Sequence, residues 1–392
     1  KMMHSASGPD HGGLTIGVMG RSRKENEHRL ALHPAHLAKL PPEVGRLLYL
    51  EEGYGAGFGV TDAELAETVA GLRSHADLVA ECDVILQPKP VLEDIAELRP
   101  GQVFWGWPHC VQDEELTQLA IDRRLTVIAF EAMNHWNSDD SFSLHVFHKN
   151  NELAGYCSVL HAMQLAGVTG HYGTRRRAVV IGFGATARGA VTALNGLGVT
   201  DVQVLTHREV AAVAAPIHSV QMVHFGEDVE GSDVRQAITE DGPQHLASYL
   251  AEHDVIVNCV LQNPESPMLF LNETDLPLLA PGTLIVDVSC DQGMGFSWAR
   301  ATTFDEPTFE VGDRVSHYGV DHSPSHLWAS ATWENSAALL PFLPVVMGGP
   351  DAWEADPTIT RAIEIRDGVV LNPSILSFQG REIAHPHGIL AS

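Results

Sequence analysis

The chain has 392 residues, of which 44% are hydrophobic and 19% charged, enough for two domains with sizeable cores. Its formal net charge of −26 argues against nucleic acid or an anionic membrane surface as a partner. No apolar run approaches the roughly 18–20 residues of a membrane span; the longest candidate, residues 337–349, is broken by Pro341 and Pro344.

Residues 1–13 are polar and Gly-rich and read as a frayed end, not a signal peptide. The five cysteines, Cys82, Cys110, Cys157, Cys259 and Cys290, are scattered without a C-x-x-C pair. The expectation is therefore free thiols in a reducing cytoplasm. His145/His148 and His322/His326 have helical ligand spacing but no clustered Cys or carboxylate beside them, so no metal is expected.

In chain order, 14–19 reads as a first strand, 21–29 as a charged loop, and 33–40 as a short helix with Pro34 at its start. A strand at 47–51, a Gly-rich loop at 53–59 and a helix capped by Thr61 follow. Short β-rich runs at 83–86, 103–105 and 126–130 alternate with helical patterns at 92–98 and 113–123, which indicates a parallel, helix-covered sheet. Residues 151–167 read as a long helix connecting two domains. A second α/β unit has strands near Ala178, Val202, Gln221, Asp254 and Thr283, with a Pro281-Gly282 turn before the last. After Asp321 the pattern turns helical, and the tail from Pro357 is too short for a third domain, so it is expected to pack back on the first.

The segment AVVIGFGATARGAVTALNGLG, 178–198, carries G-x-G-x-x-A between an apolar run and a helical pattern. Gly182 permits the tight turn, Gly184 lets backbone approach a pyrophosphate, and Ala187 lets helix and strand pack closely. The helix N-terminus, with Ala185 and Thr186 in its first turn, directs free N–H groups at the phosphates. Asn258 and Val260 complete the expected cofactor contacts. Sites that prefer NAD place Asp or Glu at the end of the second strand. Here that position is Thr206, followed by His207 and Arg208. Arg208 is suited to a 2′-phosphate, so NADPH/NADP is expected as cofactor, with NAD possible.

Several separated stretches now align with one family. Arg29 in ENEHRLALHP, Lys89 in LQPKPV, His109 in FWGWPHC, Glu131 in VIAFEAMN, and Asp287 and Asp291 in VDVSCDQG together resemble the alanine dehydrogenase superfamily. That group also contains the nucleotide-binding part of transhydrogenase, saccharopine dehydrogenase and carboxyethylornithine synthase. GWPH, NELAGYCSVL and the SPS of 323–325 are closer to carboxyethylornithine synthase, whereas DQG and TTFDEPTF are closer to alanine dehydrogenase. Where alanine dehydrogenases have an Asn-Met-Pro loop, this chain has His322-Ser323-Pro324. The resemblance implies two Rossmann-like α/β domains with parallel sheets, with cofactor and substrate in the cleft between them. The expected division is 14–148, 149–324 for the dinucleotide domain, and 325–392 returning to the first. A homo-oligomer is expected.

Reductive amination of a 2-oxo acid needs a carboxylate anchor, a proton shuttle and a hydride donor. Arg29 offers a planar fork matched to a carboxylate, although Glu25 and Glu27 are possible partners for it. Lys89, between two prolines after a strand, is expected to contact the keto-acid carboxylate or carbonyl. An imidazole can exchange protons near neutral pH, so His109 is expected to be the proton shuttle. Asp291 is placed to hold the amine or orient a water; Asp287 is as readily a buried structural carboxylate. Glu131 is expected to support the site from behind. His322, Ser323 and His326, with Trp328 and Trp333, suggest a pocket wide enough for an amino-acid amine, as in an opine-like synthase. Ammonia, as in alanine dehydrogenase, and a non-catalytic nucleotide-binding protein are the alternatives.

Overall fold

The computed structural model describes residues 12–206, 220–227, 235–262 and 267–391. The chain divides into two compact units, one running to Phe147 and resuming at Thr332, the other spanning His148–Ala331. The return to the first unit thus comes at Thr332, not at Ser325 as expected. The division falls inside the helix Trp328–Leu339, whose unbroken helical pattern gives the sequence no mark of it.

The first unit is built on an eight-stranded sheet. Ile16–Val18 lies between Leu48–Glu51 and Val84–Leu86, and pairs parallel with both. Val103–Gly106 and then Thr126–Ala129 extend the parallel ladder on one side, and Gly71–Arg73 extends it on the other. The C-terminal segment adds Ile363–Arg366 and Val369–Val370 antiparallel at the edge beyond Thr126–Ala129. The central strands are fully buried on both faces, which is why they read as continuous apolar runs. One face packs Val18, Leu50, Trp105 and Phe130, and the other packs Ile85, Phe104 and Val127. The strand order reverses direction on either side of Ile16–Val18, the topology that opens a crevice at the carboxyl ends of the strands.

The second unit opens with the helix His148–Ala166, three residues earlier in the chain than Asn151, where the pattern placed its start. Its nine-stranded sheet repeats the same reversal around Arg177–Ile181, which lies between Asp201–Thr206 and Val255–Asn258. Leu284–Asp287 and Val315–Tyr318 continue it in parallel. Close packing fixes the dinucleotide helix Ala185–Gly196 against His148–Ala166. A Cβ at Gly155 would lie 1.9 Å from the Thr186 carbonyl oxygen, and one at Gly189 would lie 1.7 Å from that of Glu152. Both glycines are there because two backbones touch, a requirement that hydrophobic pattern does not reveal. No helix among the described residues is long and apolar enough to cross a membrane.

Candidate active site

In the first unit the candidate residues leave the carboxyl ends of neighbouring parallel strands. Lys89 follows Val84–Leu86, His109 follows Val103–Gly106, and Glu131 follows Thr126–Ala129. Backbone bonds lock the first two loops together: Gln87 donates to the Trp105 carbonyl and Trp107 to that of Pro88. The Lys89 ammonium then lies 3.3 Å from His109 Nε2. His109 is exposed and holds a left-handed backbone with φ 50°, a conformation that is uncommon outside glycine and often found at functional sites. Its N–H donates to Glu131 Oε1 at 2.9 Å, so Glu131 fixes the turn that presents the imidazole. His145 Nε2 in turn lies 3.2 Å from the Glu131 carbonyl oxygen.

Arg29 is buried, and Glu27 takes two of its guanidinium N–H directions, at 2.9 Å from Nε and 2.6 Å from one Nη. Its guanidinium also lies 5.1 Å from the Trp107 ring centre. The fork expected to face a substrate carboxylate is therefore engaged along one edge by the chain's own carboxylate. Arg29 is held as part of the ledge beside the loop that carries His109.

Burial raises the Glu131 carboxyl well above its ordinary value, and the charge of Glu364 raises it further. Glu364, on the C-terminal strand, is raised by burial as well. It was not legible in the sequence: within IEIR it reads as the outward residue of an alternating strand.

In the second unit the dinucleotide turn has the expected local form. Gly182 has φ 117°, and a Cβ there would press to 3.3 Å on the Cys259 backbone. The helix Ala185–Gly196 starts from Gly184 with no side chain capping its N-terminus, and Ala187 is buried against the strand. A glycine turn, an uncapped helix end and open space beside Gly184 fit a pyrophosphate. Thr206 closes its strand fully buried; His207 and Arg208 lie outside the described residues.

Asn258 and Val260, expected as cofactor contacts, are joined to each other and to the strand end that carries Asp287. The Asn258 amide donates to Asp287 Oδ1 at 3.0 Å and accepts from Val260 N–H at 3.1 Å. The Val260 carbonyl accepts from Ser289 Oγ. Asp287, wholly buried, also receives the N–H of Cys290, whose φ is 44°. That turn presents Asp291 at the carboxyl edge of the sheet. Burial, then the neighbouring Asp287 charge, raises the Asp291 carboxyl to about 6. Ionised Asp291 accordingly falls about tenfold per pH unit below that value. If the anion serves catalysis, the rate of the intact enzyme should fall on the acid side with a midpoint near 6, and Asp291→Asn should remove that limb. A pH profile of kcat/KM checks this; an acid limb unchanged in the variant would refute it.

The residues expected around a wide amine pocket are drawn into the second unit's own packing. Ser323 Oγ accepts from Ser158 Oγ at 2.8 Å and donates to the Ala154 carbonyl at 3.1 Å. His322 is buried, 2.6 Å from Asp321 and edge-on to Phe304. His326 stacks on His161 at 4.5 Å, and the His161 ring, lowered to about 4 by burial and then by His326, also contacts the Tyr318 hydroxyl. Trp333 lies in the first unit, against His33 and His36. The polar character of this stretch thus serves loop-to-helix packing within the second unit, where these bonds of His322 and Ser323 are made. Among the described residues, His75, Asp94 and Glu97 come close enough to suggest a cation site. Arg23 already bonds both carboxylates, so they form an ion-pair network.

Residues 18–154 match the family model described as alanine dehydrogenase/PNT, N-terminal domain, and residues 153–373 match the C-terminal domain of the same family. The alanine dehydrogenase of Mycobacterium tuberculosis is 26% identical over 394 aligned positions, covering 96% of this chain and 100% of the relative. That of Halomonas elongata is 28% identical, covering 92% and 95%. Among solved structures, an L-alanine dehydrogenase superposes with a TM-score of 0.72 at 21% identity, over 93% of this chain and 99% of the other. A transhydrogenase from Sinorhizobium meliloti gives 0.68 at 21% identity, over 91% and 100%. The chain belongs to the alanine dehydrogenase/PNT family, and is an NAD(P)-dependent oxidoreductase of the class acting on CH–NH or CH–NH2 donors.

Proposed function

We propose that the protein reductively aminates a small, pyruvate-like 2-oxo acid with ammonia and runs the reverse deamination. The observation that carries this is the Lys89–His109 pair, 3.3 Å apart at the carboxyl edge of the first sheet. An ammonium ion and an imidazole in contact provide both an anchor for an α-keto carboxylate and a group to move protons. Full-length similarity to alanine dehydrogenases supports ammonia as the amine. So does the engagement of His322 and Ser323 within the second unit.

In this reading Lys89 binds the carboxylate of the 2-oxo acid together with Arg29, which Glu27 and Trp107 hold in place. His109 gives a proton to the departing hydroxyl of the carbinolamine and later recovers one from water. Asp291 orients the attacking amine. The nicotinamide nucleotide, when bound, supplies the hydride for the imine carbon; Gly182, Gly184, Ala185, Thr186 and Ala187 would hold its pyrophosphate. The sequence Thr206-His207-Arg208 supports NADPH over NADH. Arg208→Ala should then raise the KM for NADPH by a factor of about 10–150, the worth of a charge-assisted bond, and leave that for NADH unchanged. Equal effects on the two cofactors would reject the preference.

The second reading, an amino-acid amine, retains one observation in its favour, the His322-Ser323-Pro324 departure in the family's Asn-Met-Pro loop. The deciding experiment follows reduced-cofactor absorbance with pyruvate or 2-oxoglutarate, offering ammonia, ornithine and lysine in parallel. Oxidation with ammonia alone supports the proposal. Oxidation only with a diamino acid transfers the assignment to the synthase, and silence despite tight cofactor binding defeats both.

A further inference from the structure

We propose that Glu364 is a positioning residue for His109, acting through Glu131 as one half of a buried carboxyl pair. The inference rests on the catalytic reading above for its consequence, but not for its geometry. Ile363–Arg366 pairs antiparallel with Thr126–Ala129, and the ladder is irregular between Ile363 and Ile365, at Glu364 itself. Thr126–Ala129 leads directly into the turn that carries Glu131. The Oε2 atoms of Glu131 and Glu364 are both buried and accept from no described residue.

Lys89 favours the charged form of Glu131, against the effect of burial. Asn372 lies beside Glu364, its backbone N–H donating to the Glu364 carbonyl at 3.2 Å, and it favours the charged form of that carboxyl. Cys110, next to His109, is fully buried and responds to the charges of both carboxylates and of Asp113. The neighbouring arginines face elsewhere, Arg361 to Asp140 and Arg366 to Glu354. His145 meets the Glu131 turn at its backbone carbonyl.

Two buried carboxylates with so little compensation cannot both ionise cheaply, so the pair retains a proton. Retention matters to the turn. Glu131 Oε1 must stay an acceptor for the His109 N–H, while the total negative charge presented to Lys89 is limited. Glu364 therefore governs when Glu131 ionises, and through it the electrostatic setting of the Lys89–His109 contact.

The test is an infrared titration of protonated carboxyl groups in the intact chain, comparing the parent protein with Glu364→Gln and Glu364→Asp. Glutamine matches glutamate in size, and the Glu364 backbone carbonyl that accepts from Leu371 and Asn372 is untouched, so the fold should survive. Beside the step near 6 that belongs to Asp291, which no change at Glu364 or Glu131 should move, the pair should give the parent two further overlapping steps that extend above neutral pH. Glu364→Gln should leave one step of the pair, displaced toward acid by about one pH unit or more, and Glu364→Asp should restore two. In turnover assays Glu364→Gln should move the kcat/KM pH profile in the same direction without changing the affinity for nucleotide. A Glu364→Gln titration that superposes on the parent's overturns the proposal. Should Glu364→Gln not fold, Glu131→Gln carries the same test, with one remaining step of the pair expected and two overturning it. Absence of amination activity would sink the catalytic reading alone, because the infrared steps are measured without substrate.

Discussion

Replacing His109 with alanine should lower turnover by about 10²–10⁴-fold, the usual worth of a positioned general acid–base, and leave nicotinamide nucleotide affinity nearly unchanged. The separation follows from the architecture. His109 belongs to the first unit, whereas the glycine turn and uncapped helix that fit a pyrophosphate belong to the second. The imidazole is exposed and its side chain is not part of either core. The backbone bond from His109 N–H to Glu131 survives the substitution, since it needs no side chain. Alanine at φ 50° is less tolerant than histidine, so His109→Asn, a residue that accepts left-handed backbone readily, is the companion variant. Steady-state rates and nucleotide fluorescence titration on both variants decide the matter. Turnover above about a tenth of the parent's in His109→Asn, or a parallel loss of nucleotide binding, would remove His109 from the proton-transfer role.

Much of the architecture was legible because parallel strands covered on both faces must be apolar throughout. AVVI, VIVN and LIVD announce themselves, and the glycines after the first of them have few other uses. The hairpin Asn134–Trp136 with Phe142–His145 did not, because its strands are short and largely exposed, so the apolar residues of FSLH mark no buried face. Nor did the antiparallel pair Thr308–Val311 and Val315–Tyr318, whose first strand alternates between half-buried and exposed residues. At the site, Lys89 and His109 were legible from strand ends and flanking prolines. The roles of Asn258, Ser323 and Glu364 were not, since each depends on a partner distant in the chain: Asp287, Ser158 and Glu131. A polar residue type proclaims that a hydrogen bond is needed; it does not say whether a ligand or the protein supplies it.

The second large effect belongs to Lys89. Lys89→Met keeps the aliphatic stem and removes the charge, so the packing of the Pro88–Pro90 loop should persist while the carboxylate loses its anchor. The expected result is a fall in kcat/KM for the 2-oxo acid of about 10²–10³, the range seen when one preorganised donor to a reacting oxygen is removed. Both KM and kcat should contribute, because Lys89 also contacts the group that moves the proton, at 3.3 Å. Contact at that distance has a further consequence. Residues in contact are not fully additive, so Lys89→Met combined with His109→Ala should cost less than the product of the two single losses, the shortfall being the part of the lysine's effect that acts through His109. A double-mutant cycle on kcat/KM measures this directly. If the two losses multiply, the lysine anchors and the histidine transfers protons independently, and their 3.3 Å contact adds nothing to catalysis.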